Sequence, residues 1–414
     1  MKFRFLFISL FFLSIIVQSQ NKYHLKAQQL FDGNELHKNW SVHVEGNKIV
    51  YAGPEKAFKN STLIEFKNKT LMPGLIEGHS HILLHPYNET SWNDQVLKES
   101  YAERAARATN HLKASLEAGI TTMRDLGSEG AGYLDVGMKQ AVEKGVIPGP
   151  RLLVAGPAIV ATGSYGPKGF HEFVKVPLGA EEADASNLIT VTRRQIGNGA
   201  DFIKVYADYR WGIGNTAKPT FSEEEIKTIV KTAASSGRYT VAHAATAEGM
   251  RRAIEAGVKT IEHGDGATAE VFDLMVKKKV ALCPTIAASL SIAQYQGWKK
   301  GTKPEPQRVI NKRNSFKLAL ERGVTISFGG DVGVFPHGEN VLELELMVDY
   351  GMTPKEALKA ATSVNAELFE LSNLGKLKAG FLADIIAVDG DPLKNISQLR
   401  NVNFVMKNGT IIKK

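Results

Sequence analysis

The stretch Leu71-Met72-Pro73-Gly74-Leu75-Ile76-Glu77-Gly78-His79-Ser80-His81 is an apolar run that ends in two histidines. Side chains at alternate positions of a β-strand project from the same face of the sheet, so both imidazoles are expected to point to one place. Imidazole is a common ligand of zinc and similar divalent ions. The stretch therefore predicts a buried strand that supplies half of a metal site, although a His-x-His pair by itself often arises by chance.

Helical stretches that end in glycine and then lead into short β-branched runs recur through the middle of the chain. Glycine is favoured at the left-handed end of a helix, and apolar runs of this length are typical of buried parallel strands. The predicted strands are residues 75–81, 121–126, 151–156, 202–207, 240–243, 260–263, 281–284 and 325–330. Eight such strands alternating with helices predict an α/β fold, a TIM-like (β/α)₈ barrel. An open doubly wound sheet is the alternative, and it would leave the polar strand ends without a common meeting place.

The two ends of the chain have a different pattern. Residues 40–53 predict a hairpin that turns at Glu45-Gly46-Asn47, and residues 384–388 and 402–412 alternate in the same way. Neither end has enough strands for a stable sheet alone, so we expect one small β-sandwich built from both termini. The predicted organisation is a signal peptide at 1–19, sandwich strands at 20–70, the barrel at 71–375 and further sandwich strands at 376–414.

The first residues are typical of an export signal. Lys2 and Arg4 precede the apolar residues 5–17, and Val17-Gln18-Ser19 offers a small-residue cleavage site before Gln20. A membrane anchor is the alternative reading, but the apolar run is shorter than the ~20 residues that a spanning helix needs. We therefore expect cleavage within residues 17–21, no membrane-spanning segment and a periplasmic or secreted protein.

The charge distribution argues against a nucleic-acid partner, and the cysteine content excludes stabilisation by an intramolecular disulfide. The formal net charge of +8 is spread along the chain and is not interleaved with aromatic residues, so no nucleic-acid partner is expected. Cys283 is the single cysteine and cannot form an intramolecular disulfide. It lies in an apolar run, where a buried structural thiol is expected.

The predicted strands end in a set of polar residues. Active sites of barrels of this class lie where the carboxyl ends of the strands meet. The residues at or just beyond these ends are His79, His81, Lys204, His243, His263 and Asp331. Each histidine alone is more often a structural residue, but their joint placement predicts one shared site.

These residues lie in motifs that resemble the metal-dependent amidohydrolase superfamily, in its imidazolonepropionase-like and prolidase-like (Xaa-Pro dipeptidase-like) branch. The stretch 73–81 is similar to the first-strand signature of that family, which usually has Asp where Glu77 and Ser80 stand. The similarity extends over about residues 22–412. The other matching segments are residues 200–204, 242–244, 260–264, 330–331 and 380–384.

The resemblance implies a set of ligands. His79, His81 and Asp331 would hold one divalent ion and His243 and His263 a second, both most commonly zinc. Lys204, carboxylated by CO₂, would bridge them. An unmodified ammonium beside two divalent cations is strongly disfavoured, so the chemistry of the site agrees with this modification. In the alternative, Lys204 pairs with Asp331 in a site with one metal or none.

The resemblance also implies a reaction. A metal-bound hydroxide would attack the carbonyl of a C–N (amide) bond in an Xaa-Pro or other dipeptide, or in an N-acyl amino acid, with Asp331 moving the proton. Ring opening or deamination of a heterocycle, as in imidazolonepropionase, is the alternative. A non-catalytic scaffold is more remote. Tyr206, His337 and His171 are candidate substrate contacts, and a homo-oligomer is expected.

Overall fold

The computed structural model describes residues 21–414. The predicted signal peptide lies outside these residues. Within the described part of the chain, no helix combines the length and the apolar character needed to cross a membrane.

The strands alternate with helices through most of the chain. In order, the strands are β1 Lys22–Phe31, β2 Leu36–Glu45, β3 Lys48–Pro54, β4 Thr62–Pro73, β5 Leu75–Ser80, β6 Ile120–Asp125, β7 Arg151–Val154, β8 Ile159–Val160, β9 Glu181–Glu182, β10 Ile203–Tyr206, β11 Asp208–Arg210, β12 Ala217–Pro219, β13 Thr240–Thr246, β14 Thr260–Gly266, β15 Ala281–Cys283, β16 Ile385–Asp389, β17 Val402–Lys407 and β18 Thr410–Lys413. The α-helices are α1 Trp92–Lys98, α2 Tyr101–Glu117, α3 Leu134–Glu143, α4 Leu188–Gly197, α5 Glu223–Ala234, α6 Ala247–Ala256, α7 Ala269–Lys278, α8 Ile286–Tyr295, α9 Gln307–Glu321, α10 Val341–Asp349, α11 Pro354–Lys359 and α12 Asn365–Leu368. A π-helical turn at Ala360–Val364 joins α11 to α12, and a 3₁₀ helix occupies Ile396–Arg400.

Both ends of the chain contribute to one seven-stranded sheet, in the order β18-β17-β16-β4-β1-β2-β3. The predicted hairpin is present as β2 and β3, and β16 from the C-terminal end pairs antiparallel with β4. Apolar side chains from both ends share one buried cluster that includes Leu25, Val42 and Phe404. Joint construction from both termini is confirmed. A two-layered sandwich stays a prediction, because these strands form a single hydrogen-bonded sheet.

The central strands are parallel and form two sheets, β5-β6-β7 and β15-β14-β13-β10-β8-β9. The Asp201 amide donates to the Val154 carbonyl at 2.8 Å, which joins the end of β7 to the segment that leads into β10. On the other side, the Ser327 amide donates to Leu282 and the Gly78 amide donates to Phe328. Hydrogen bonds therefore link eight segments in the order of the chain. They do not form one continuous sheet, so the closed TIM-like barrel stays a prediction.

The eighth predicted strand, residues 325–330, is wrong as a regular strand. This segment forms only an isolated parallel bridge between Ile326 and Leu282 among the described residues. One of its backbone amides bonds to a side chain instead of to a neighbouring strand. Gly330 N donates to a Glu77 side-chain oxygen at 2.9 Å. Asp331 then adopts a left-handed φ of 64°. A regular strand cannot continue through these two features.

Two helix starts are fixed by residues that are close together in the sequence. Ser222 and Thr353 each cap a helix through a complete capping box, with Glu225 and Glu356 as the reciprocal partners. Gly257 closes α6 with φ of 95°, a conformation that costs other residues energy. These local signals fix where the helices begin and end. They thereby also fix where the strands between the helices begin.

Candidate active site

The carboxyl ends of the central strands open into a cavity of about 820 Å³. Five of the six predicted ligands line it directly: His79, His81, His243, His263 and Asp331. Ring centroids lie 4.5 Å apart between His243 and His263 and 5.2 Å apart between His79 and His263. The structure therefore brings these side chains, which span more than half of the chain, to one place.

Three of the four imidazoles are held by a partner on the Nδ1 atom. His79 Nδ1 lies 2.9 Å from Glu262 Oε2, and His81 Nδ1 lies 3.0 Å from the Gly127 carbonyl oxygen. His263 Nδ1 lies 2.8 Å from Thr285 Oγ1. With Nδ1 used in this way, the Nε2 lone pair is left for a ligand. Such outer partners fix the tautomer and the orientation of metal-binding imidazoles.

Burial also favours the neutral imidazole, which is the form that binds metals. It lowers the pKa of His79, His243 and His263 well below the ordinary value, and neighbouring cationic groups act in the same direction. His243 stacks on the Tyr206 ring at 4.5 Å. His79, His243 and His263 thus favour the neutral form, and their rings lie close to one another.

Asp331 lies at the centre of the cluster. Its Oδ1 is 3.5 Å from His79 Nε2 and 3.4 Å from His81 Nε2, and this buried oxygen has no hydrogen-bond partner among the described residues. Ligand atoms of His79, His263 and Asp331 all lie within 4.8 Å of one another. A buried carboxylate oxygen without a partner, facing oriented imidazoles, is a suitable setting for a divalent cation.

Lys204 is fully buried on β10 beneath the same cluster. Burial lowers the pKa of its amine, with Arg124 acting in the same direction and Glu262 and Asp331 opposing it. The ion pairs of Asp331 are with the histidines, and none joins it to Lys204 within the described chain. A buried lysine without a close counterion is better suited to a neutral or modified state than to a plain ammonium.

Glu77, at the position where the family signature usually has Asp, has a positioning role. Its Oε1 accepts hydrogen bonds from the amides of His79 and Gly330, and its Oε2 accepts one from Asn340. Burial raises its pKa to about 7 despite these bonds. The longer side chain thereby connects the histidine strand to the segment that presents Asp331.

A buried ion pair supports the histidine cluster from below. Arg124 on β6 and Glu262 on β14 have no exposed side-chain surface, and Arg124 Nη2 lies 3.0 Å from Glu262 Oε1. Arg124 Nε also donates to the Gly78 carbonyl at 2.7 Å. Because Glu262 uses its other oxygen to hold His79, this pair orients one of the predicted ligands.

Replacing Arg124 with methionine is expected to lower the free energy of unfolding by about 3–5 kcal/mol, because Glu262 would be left buried without its partner. Urea denaturation measures this loss. The double variant Arg124→Met/Glu262→Gln should recover part of it. The matched control is Arg322→Met, which breaks an exposed pair with Asp273 and should cost less than about 1 kcal/mol. Equal losses in Arg124→Met and Arg322→Met would contradict a supporting role for the buried pair.

The three predicted substrate contacts have different positions. Tyr206 is buried in the cavity wall. His337 packs away from the cavity, with its ring stacked on His111 at 4.3 Å and its Nε2 3.1 Å from the Leu84 carbonyl oxygen. His171 is exposed and is not one of the described residues that line the cavity. Only Tyr206 therefore reaches the cavity in this conformation.

Several residues at the site were not singled out from the sequence. Glu129 lines the cavity beside His81, and Asp208 Oδ1 lies 3.7 Å from His243 Nε2. Both residues come just after a predicted strand, Glu129 in a glycine-rich stretch and Asp208 two positions beyond Tyr206. Inspection of every acidic residue within a few positions of a strand end would have found them. Cys283 is buried and free, as predicted.

Comparison with known proteins finds relatives of one group that match most of this chain. A model of the amidohydrolase family matches residues 70–412. Ochratoxinase of Aspergillus niger is 31% identical over an alignment of 423 residues. The alignment covers 92% of this chain and 84% of the relative.

A solved structure and a second relative are also similar to this chain over most of its length. The crystal structure of a Xaa-Pro dipeptidase with bound methionine in its active site superposes with a TM-score of 0.84 at 30% identity, and it covers 95% of this chain and 100% of the other. An imidazolonepropionase of Streptomyces coelicolor is 22% identical over 376 residues, with 86% of each chain covered.

Proposed function

This chain belongs to the amidohydrolase family and is a hydrolase acting on carbon–nitrogen bonds, and we propose that it cleaves the amide bond of a small peptide-like substrate. An Xaa-Pro or other dipeptide, or an N-acyl amino acid, would fit. The observation that carries this proposal is the convergence of four histidines and Asp331 on one cavity, with Lys204 buried next to them.

The cavity suits such a substrate. Its volume of about 820 Å³ lies within the range of pockets that hold small molecules. Three basic side chains, Arg210, Arg308 and Lys312, are among the residues that line it. Lys312 pairs with Asp265, so Arg210 and Arg308 are left to offer a complementary charge for the carboxylate that dipeptides and N-acyl amino acids carry. The similarity to a Xaa-Pro dipeptidase supports the same substrate class.

Two divalent ions, zinc in our proposal, would be held by the histidines and Asp331, with a carboxylated Lys204 between them. When bound, such ions polarise the carbonyl group and lower the pKa of water. The chain's own residues provide the rest of the chemistry. Asp331 takes a proton from the attacking water and returns it to the leaving nitrogen, so that the amide and water become a carboxylic acid and an amine.

We also propose that the protein acts outside the cytoplasm, since residues 1–19 have the composition of an export signal. Hydrolysis of peptides outside the cell membrane suits an enzyme that scavenges amino acids.

The proposal is tested by screening the zinc-loaded protein against a library of dipeptides, N-acyl amino acids and cyclic amides. We expect release of amines from the first two groups, measured by chromatography. Asp331→Asn serves as the inactive control, and Asp349→Asn on α10, an exposed aspartate paired with Lys300, serves as the active control. Turnover of cyclic amides alone would overturn the linear-peptide proposal in favour of an imidazolonepropionase type of reaction.

A further inference from the structure

One wall of the cavity combines a buried carboxylate with a group of aromatic rings. Glu129 is 2% exposed, and its Oε2 accepts hydrogen bonds from Trp92 Nε1 at 2.8 Å and from the Tyr165 hydroxyl at 2.6 Å. Tyr165 lies 4.5 Å from Tyr206 and 4.8 Å from Tyr209, centroid to centroid. We call the following residues, all of which line the cavity, the aromatic wall: Tyr87, Trp92, Tyr165, Tyr206 and Tyr209.

The carboxylate is held in place by a strained and anchored loop. Glu129 has φ of 49°, a left-handed conformation that a residue with a long side chain rarely adopts. The buried Arg104 fixes this loop, since it donates to the backbone carbonyls of Glu129 at 2.8 Å and Ser128 at 3.1 Å. Strain that the surroundings maintain in this way is typical of functional positions.

The second oxygen of Glu129 has no such partner. Oε1 accepts no hydrogen bond from the described residues, and its closest basic neighbour is His81 Nδ1 at 3.8 Å. That nitrogen is already used by the Gly127 carbonyl. Arg104 does not compensate the charge directly, because its guanidinium contacts backbone carbonyls instead. A buried carboxylate is costly unless a cation pairs with it.

We infer that Glu129 and the aromatic wall bind the free α-ammonium group of the substrate residue on the acyl side of the scissile bond. Aromatic faces attract ammonium groups, and the unpaired oxygen supplies a charge-assisted hydrogen bond. This inference rests on the proposed function and narrows it, because it selects dipeptides with a free amino terminus over N-acyl amino acids.

The position of Glu129 agrees with the chemistry of a dipeptide. The α-nitrogen is bonded to the carbon next to the scissile carbonyl, so its partner must lie close to the reacting centre. Glu129 satisfies this requirement, because Oε1 is 3.8 Å from the ring of His81, whose Nε2 is 3.4 Å from Asp331. The basic residues Arg210 and Arg308 are left for the carboxylate at the other end of the substrate.

The kinetic test compares alanyl-X with propionyl-X, where X is the amino acid on the amine side of the scissile bond. The two compounds differ only in the amino group, and proline is the first X to be tested. The wild-type enzyme should prefer the alanyl compound by about 100-fold or more, since a buried site built for a donor rejects an analogue without it. Glu129→Gln keeps an acceptor for Trp92 and Tyr165 but removes the charge. It should lower kcat/KM for alanyl-X by about 30-fold or more, with the change for propionyl-X staying within about twofold.

Glu103→Gln, an exposed substitution on α2, is the matched control and should leave both rates unchanged. Equal losses for alanyl-X and propionyl-X in Glu129→Gln would mean that Glu129 is only structural, and the inference would fail. A wild-type enzyme that prefers propionyl-X would also overturn it.

A binding measurement separates this inference from the proposed function. Leucinol and 4-methylpentan-1-ol share a skeleton, differ by the amino group and contain no amide bond. Calorimetry with the zinc-loaded protein should show that leucinol binds more tightly, and that Glu129→Gln weakens leucinol binding by about 30-fold while 4-methylpentan-1-ol is unaffected. If no peptide is hydrolysed but this difference is present, the proposed substrate class fails and the ammonium site stands. If peptides are hydrolysed and leucinol binding does not depend on Glu129, the ammonium site fails alone.

Discussion

Replacing Asp331 with asparagine is expected to lower kcat by about 10²–10⁴-fold, the usual cost of losing a general acid–base group. Asparagine keeps the shape of the side chain and one oxygen that can face His79 and His81, so the fold and much of the bound metal should be retained. The carboxylate alone can accept and return a proton. Rate measurements combined with elemental analysis of the same preparation check both parts.

The control for this prediction is Asp349→Asn, the same change at an exposed position, which should leave kcat within about twofold of the wild type. An Asp331→Asn enzyme that loses its metal and recovers its rate with excess zinc would show that Asp331 is mainly a ligand. The proton transfer would then have to be assigned to another group near the cavity.

Replacing Lys204 with alanine is expected to remove at least one of the two proposed ions and to lower the rate by about 10³-fold. Loss of a bound ion costs several kcal/mol of transition-state stabilisation, and each ~1.4 kcal/mol corresponds to tenfold in rate. Short carboxylic acids should enter the space left by the side chain and restore part of the metal content and of the rate.

The variant Lys227→Ala, at a partly exposed position on α5, controls for the loss of a lysine in general. Normal metal content and rate in Lys204→Ala would contradict a bridging role and leave Lys204 as a structural cation. Failure of carboxylic acids to restore any function, with the fold intact, would argue against a carbamate in particular.

Much of the site could be predicted because its residues follow strand ends. His79 and His81 alternate on one strand, and His243 and His263 each close a short apolar run. The capping boxes at Ser222 and Thr353 are equally local, because each joins residues three positions apart. Signals of this kind depend only on neighbours in sequence, so they can be recognised without the fold.

The features that sequence analysis missed depend on distant contacts. Arg124 and Glu262 are 138 positions apart and become a buried pair only when β6 and β14 face the same interior. Glu129 gains its surroundings from Trp92, at the start of α1, and from Tyr165, in a loop far along the chain. The backbone of residues 325–330 departs from a strand because Glu77, far away in sequence, takes one of its amides. Neither periodicity nor spacing encodes such contacts.

Loop histidines were also hard to assign. His337 follows the last central segment, where substrate contacts are common, yet its ring packs on His111 and bonds to a backbone carbonyl. Position along the chain cannot tell a histidine that faces a cavity from one that fills a gap beside it. Tyr206 could be placed in the cavity wall because it shares a strand face with Lys204.

Metal content measured together with activity is the most direct test of a hydrolytic centre built from His79, His81, His243, His263 and Asp331. We expect purified wild-type protein to hold up to two divalent ions per chain, mostly zinc. A chelator should remove both the ions and the hydrolysis of carbon–nitrogen bonds, and added zinc should restore them together. A folded preparation that hydrolyses its substrate at full rate without bound metal would contradict this assignment of the site.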